Sequence, residues 1–149
     1  MRAVVQRVRR ARIEVEGEAV GSMGQGLLAL VGVGREDDES DAIELARKLV
    51  HLRVFPDEQG RMNRSLLETG GSLGVVSQFT LYGDTRRGRR PSYQQAAPPE
   101  QARGLIDALV ARAEALGVPV VTGRFQAMMD VSLENTGPVT LLLDTQGRL

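Results

Sequence analysis

Residues 27–33, Leu-Leu-Ala-Leu-Val-Gly-Val, form an unbroken apolar run between Gly26 and Gly34. A run this short and this uniform reads as a β-strand covered on both faces, because a strand with one wet face alternates. The fold therefore needs packing layers on either side of it. Ser40 or Asp41 can cap a helix running to about Val50, with Ala42, Leu45, Ala46 and Leu49 on its apolar face. Pro98 and Pro99 open a second helix that Gly117 terminates, and Leu105, Leu109, Ala113 and Leu116 form its stripe. Strand character recurs at residues 3–8, 11–15, 52–55, 73–82, 118–122, 125–133 and 139–143. This order predicts an α/β domain of mixed β-sheets with two main helices packed on a sheet face, layered α/β/β. With 149 residues and neither repeat nor linker, the chain reads as a single domain spanning 1–149.

Several chemistries are poorly supported. Lys plus Arg and Asp plus Glu both number 19, so no global field points to a nucleic-acid partner. Cysteine is absent, which removes disulfides, thiolate metal sites and thiol nucleophiles. The single histidine, His51, falls at a helix end, where it favours the negative dipole end or simply packs. Carboxylates such as Asp84, Asp130, Glu134 and Asp144 are scattered, so no acid/base pair can be argued from spacing. Gly32-Val33-Gly34 precedes a helix, but Asp37 stands where a dinucleotide loop needs its third glycine. The charged N-terminus is no signal peptide, and no apolar run approaches a membrane span. The expectation is a soluble cytoplasmic protein with no metal and no cofactor. An enzyme of this composition works by positioning and backbone dipoles more than by a strong side-chain base.

Three local features stand out. Arg7, Arg9, Arg10 and Arg12 cluster on the first strands, and Arg86, Arg87, Arg89 and Arg90 crowd a Gly/Pro loop. Each set is either a solvated surface or a phosphate-contacting patch. Ser77 and Gln78 interrupt the predicted strand 73–82, and adjacent strand residues point to opposite faces, so one of them needs a partner or a pocket. Asn135-Thr136-Gly137-Pro138-Val139-Thr140 places a Gly-Pro step between two apolar runs. It serves either as a tight turn or as a rigid presenter of the Gly137 and Pro138 carbonyls.

Ser77-Gln78-Phe79-Thr80-Leu81-Tyr82 and the Asn135–Thr140 stretch together resemble the two signature motifs of the D-aminoacyl-tRNA deacylases. The similarity also covers residues 1–8, 28–34, 62–63, 88–92 and 96–99. The resemblance implies hydrolysis of the ester between a D-amino acid, or glycine, and the terminal adenosine of tRNA. It implies a homodimer with active sites at the interface, and a cis Gly137–Pro138 bond whose motif enters the partner subunit's pocket. Ser77, Gln78, Phe79 and Thr80 would line the catalytic pocket. Gly137, Pro138, Arg7, Met129 and Asn135 would bind substrate, with Arg7 orienting the Gly-Pro loop. The partner would be the 3′ acceptor end of aminoacyl-tRNA, with no DNA and no membrane involved. The family is thought to draw on the substrate's own 2′-hydroxyl, and Thr80 as nucleophile is the older alternative. Gln126, Met128 and Thr136 depart from the residues common in the family. A non-catalytic RNA-binding dimer and an editing enzyme for L-amino acids are the competing readings.

Overall fold

The computed structural model describes residues 1–149. In chain order the elements are β1 (Arg2–Val15), β2 (Glu18–Met23), β3 (Gly26–Gly32), α1 (Glu39–His51), β4 (Phe55–Pro56) and β5 (Met62–Arg64). There follow the one-turn helix α2 (Leu66–Thr69), β6 (Ser72–Ser77), a 3₁₀ turn (Phe79–Tyr82), α3 (Pro99–Ala115), β7 (Val120–Thr122) and β8 (Asp130–Asp144). No helix is long and apolar enough to cross a membrane.

One six-stranded mixed sheet holds the domain together, and β4 with β5 forms a separate small hairpin. β1 is long enough to serve two partners on one edge: β3 along residues 2–8 and β2 along residues 11–15. β8 runs antiparallel along the other edge of β1. β6 and β7 extend the sheet in parallel from β3. The sheet then curls until β2 meets β7: a Cβ on Gly21 would lie 2.8 Å from the Thr122 carbonyl oxygen. Glycine at 21 is what allows this closure.

The curl creates two cores. Inside it lie Val8, Ala11, Ile13, Met23, Leu28 and Val76. Outside it the larger core packs Ala3, Val5, Leu27, Ala29, Val31, Leu73 and Val75 against Leu45, Leu49, Ile106 and Leu109 of α1 and α3. Leu27 and Leu28 thus point into different cores, which is why the 27–33 run has no polar position.

Several boundaries differ from expectation. The strands expected at 3–8 and 11–15 are one strand, because Arg9 and Arg10 remain extended at an irregularity in the β8 pairing and both pair with Glu134, at 2.8 and 2.9 Å. Asp38, not Ser40 or Asp41, caps α1. It accepts from the Ser40 and Asp41 amides while Asp41 returns a bond to the Asp38 amide, a reciprocal capping box. The strand expected at 73–82 stops at Ser77, where the backbone tightens into the 3₁₀ turn. Residues 125–129 lie outside any strand, and Gln126 there has φ +62°. Of the strand expected at 52–55, only Phe55 pairs. The expected pair of main helices is present as α1 and α3.

A buried ion pair ties the chain ends to the body. The Met1 α-ammonium lies 2.8 Å from Asp37 Oδ1, with the side chains 0% and 2% exposed. Asp37 also accepts from the Gly34 amide at 2.6 Å and from the Tyr82 hydroxyl at 3.2 Å. Thr145 and Gln146 beyond β8 donate to Asp41 at 2.6 and 2.9 Å. Asp37, which breaks the dinucleotide motif, is therefore structural. Removing one charge leaves the other buried and unpaired, so Asp37→Asn is expected to cost about 3–5 kcal/mol in urea unfolding.

Candidate active site

The Gly-Pro stretch is a loop thrown out of β8. Gln6 pairs with Thr140 and Val8 with Asn135, so residues 136–139 bulge opposite Arg7. Two side chains clamp the bulge. Asn135 accepts from the Val139 amide at 2.8 Å and donates to the Val139 carbonyl at 3.1 Å, closing its base. Arg7 donates through Nε to the Thr136 carbonyl at 2.9 Å and through Nη1 to the Val54 carbonyl at 2.6 Å. Gly137 has φ +141°, and a Cβ there would lie 2.9 Å from Arg7 Nη2, so the clamp and the conformation both require glycine. Gly137 and Pro138 are exposed, and the peptide between them is cis. The rest of the first arginine cluster is surface pairing: Arg9 and Arg10 with Glu134, and Arg12 with Glu14.

The Ser77–Tyr82 stretch leaves the sheet abruptly. The Gln78 amide makes a last ladder-like bond to the Val31 carbonyl at 2.7 Å, and the 3₁₀ turn follows. The Phe79 and Thr80 amides open that turn and so have no acceptor within it. Phe79 is 56% exposed and meets Tyr93 edge-on at 5.0 Å between centroids. The Thr80 hydroxyl accepts a short hydrogen bond from Gln78 Nε2. At the far end, burial and the neighbouring Asp37 carboxylate push the Tyr82 phenol well above its ordinary pKa.

Ser77 lines a cleft of about 410 Å³ between β6, β7 and α3, shared with Phe125, Met129 and Arg103. The Arg103 guanidinium lies 5.6 Å from the centre of the Phe125 ring. Met129 closes over Gly123, its sulfur filling the place a Cβ would take. Met128 beside it is 90% exposed. No group of three or more His, Asp or Glu side chains is arranged to hold a metal ion.

The arginine loop divides into two kinds of residue. Arg86 is used internally: it forks onto Asp84 at 2.9 and 2.6 Å and, with its own amide, holds the Asp84 carboxyl down to about 2. Arg87, Arg89 and Arg90 are exposed and face solvent. An Asp84–Ser92 bridge closes the loop base beside Tyr93.

The cleft that Ser77 lines contains no residue of the Gly-Pro bulge. Ser77 aligns with Val31, Val31 with Ala3, and Ala3 with Leu143. From that row the Gly-Pro bulge lies three strands across and four residues along the ladder. Arg7, Asn135, Gly137 and Pro138 form one group; Ser77 and Met129 share the cleft beside α3, and Gln78, Phe79 and Thr80 lead on from Ser77 into the 3₁₀ turn. Sequence reading missed Tyr93, Arg103 and Phe125 as neighbours of the second group; their positions depend on tertiary packing, and no spacing in the chain announces them.

A family model described as D-Tyr-tRNA(Tyr) deacylase matches residues 4–144. The D-aminoacyl-tRNA deacylase of Heliobacterium modesticaldum is 56% identical over 147 residues, covering 99% of this chain and 98% of that protein. The protein of the same name from Roseiflexus sp. strain RS-1 is 60% identical, with 97% and 94% covered. Among solved structures, one described as a c-Myc DNA Unwinding Element Binding Protein superposes with TM-score 0.92 at 36% identity, over 97% of this chain and 99% of that one. Another, of a probable eukaryotic D-amino acid tRNA deacylase, gives TM-score 0.78 over 95% and 97% at 17% identity, a likeness of fold. With a match over nearly its whole length and both motifs in place, the chain belongs to the D-Tyr-tRNA(Tyr) deacylase family.

Proposed function

We propose that this chain hydrolyses the ester of D-aminoacyl-tRNA as a homodimer, with the Gly137–Pro138 bulge of one protomer entering the partner's pocket beside Phe79 and Thr80. The observation that carries this reading is the separation of the two motifs. Gly137 and Pro138 are exposed, and so are Phe79 and Thr80, so each stretch is open to a second copy. β8, which bears the bulge, is a sheet edge with Leu142 63% exposed, the kind of edge that a second copy covers.

In this arrangement the Gly137 and Pro138 carbonyls receive the substrate's α-ammonium group and occupy the space an L side chain would need. Selection then depends on Cα geometry, so many D-amino acids are accepted. Glycine, with no Cβ, passes the same test, and glycyl-tRNA is a substrate too. Water adds to the ester carbonyl, the developing oxyanion takes hydrogen bonds from the Phe79 and Thr80 amides, and the C–O bond to the terminal ribose breaks. The proton goes to the ribose oxygen, and the neighbouring 2′-hydroxyl assists the transfer. The products are free D-amino acid and tRNA. Ser77 and Gln78 shape the pocket wall. Thr80 is not the nucleophile: its hydroxyl receives a hydrogen bond from Gln78 Nε2, a group that cannot act as a base.

Arg87, Arg89 and Arg90 contact phosphates of the acceptor end, without DNA as a partner. Such a substrate belongs to translation, so the chain works in the cytoplasm as a chirality proofreader.

D-Tyr-tRNA is expected to be cleared at least about 100-fold faster than L-Tyr-tRNA when loss of the ester is followed, and Gly137→Ala to lose about 100-fold in kcat/KM through misplacement of the bulge. Equal clearance of both esters would contradict the filter. Thr80→Ala is expected to keep activity within about threefold, whereas loss of a covalent nucleophile costs orders of magnitude. A substrate ending in 2′-deoxyadenosine is expected to react far more slowly with the parent enzyme. Replacing Arg87, Arg89 and Arg90 together by alanine is expected to lower the salt dependence of tRNA binding by about 2 in log–log slope.

A further inference from the structure

The 3₁₀ turn packs against Gly32 and Gly34, and Phe79 between its ends meets the Tyr93 ring. At its start the Gln78 carbonyl lies against Gly32, where a Cβ would come within 2.9 Å of it. At its finish the Tyr82 ring is packed so closely on Gly34 that a Cβ there would meet it at 2.8–2.9 Å. The middle, with Phe79 and Thr80, stands out in solvent. What holds the finishing end from the other side is Arg2. Its guanidinium lies 4.4 Å from the centre of the Tyr82 ring and donates through Nη1 to the Leu81 carbonyl at 3.1 Å. Its Nε is buried without a hydrogen bond, 3.6 Å from Asp144, whose side chain is 3% exposed. One planar cation thus touches the last two residues of the turn and the end of β8 at once.

We infer that Arg2 is a positioning residue for deacylation, fixing the direction of the Phe79 and Thr80 amides by pinning Leu81 and Tyr82 from behind. This rests on the proposed role of the turn as the oxyanion site. Rotation of the turn about its Gln78 end would carry those amides away from the ester oxygen, and the Arg2 bond to Leu81 opposes that rotation. A lysine keeps the charge facing Asp144 but cannot stack a plane on Tyr82 while donating to Leu81. Arg2 contacts no part of the substrate in this scheme, so its removal acts on turnover and leaves substrate affinity alone.

The test is Arg2→Lys, with Arg2→Ala as a second variant, read by three measurements on the intact protein. Backbone hydrogen exchange is expected to quicken at least about tenfold in the peptide covering residues 79–83 while peptides from α1 and α3 stay unchanged. Turnover of D-Tyr-tRNA is expected to fall at least about tenfold in kcat with KM within about twofold. Methylguanidinium added to Arg2→Ala is expected to restore part of kcat. Unchanged exchange at residues 79–83 overturns the inference whatever the kinetics, and so does kcat within twofold of the parent. If the parent protein itself does not hydrolyse the ester, the proposed function fails, and the exchange comparison still decides whether Arg2 holds the turn.

Discussion

β1 is hydrogen-bonded on both edges along most of its length, and the rest of the molecule depends on that double pairing. Its first half shares an edge with β3 and its second half with β2, while β8 follows the opposite edge from Arg2 to Glu14, interrupted at Arg7 and Arg9. A strand with two successive partners must lie across a curl in the sheet, and the curl separates the two cores. Alternate side chains of β1 then enter different cores: Ala3 and Val5 face the helices, and Val8 faces the interior of the curl. The same alternation sends Arg2 and Arg7 to different faces. Arg7 reaches the Gly-Pro bulge and the segment after α1, and Arg2 reaches the 3₁₀ turn. One strand therefore sets the orientation of both motifs.

Much of this architecture was legible in the chain. The 27–33 run demanded cover on both faces and has it. The two helices were marked by their stripes, and α3 was framed by Pro99 and Gly117. Harder to read were features decided by partners remote in sequence. Nothing local says that Arg9 and Arg10 stay extended; Glu134 across the ladder stabilises them there. Ser77-Gln78 signalled that strand β6 was interrupted, but that it ends in a 3₁₀ turn depends on Gly32 and Gly34 receiving the Gln78 carbonyl and the Tyr82 ring. Asp37 looked like a flaw in a nucleotide loop because its partner, the Met1 ammonium, lies at the start of β1, which antiparallel pairing brings beside the end of β3. The candidate site was legible as two motifs, and their separation on the sheet was not, since strand order cannot be deduced from either motif alone.

The proposed selection by chirality asks for an unusual kind of wall. A side chain can swing away from an intruding methyl, and an apolar pocket discriminates a single methylene by only about 1–3 kcal/mol. Rejecting an L side chain while ignoring what a D side chain is requires atoms that cannot retreat. Backbone carbonyls qualify only if their loop is held. Here Asn135 ties the two sides of the bulge together and Arg7 ties it to the segment beyond α1, so any displacement breaks hydrogen bonds on both sides. The φ of Gly137 closes the remaining freedom, because its place against Arg7 leaves no room for a larger residue to adjust. Under the proposed function the stiffness of the bulge and the poverty of catalytic side chains would be two aspects of one design: an aminoacyl ester is already reactive, so specificity would demand more of the protein than activation does. In the proposed function, a filter that reads only the presence of an L-oriented Cβ would also be blind to glycine, and that tolerance would follow from the same geometry that makes the filter general.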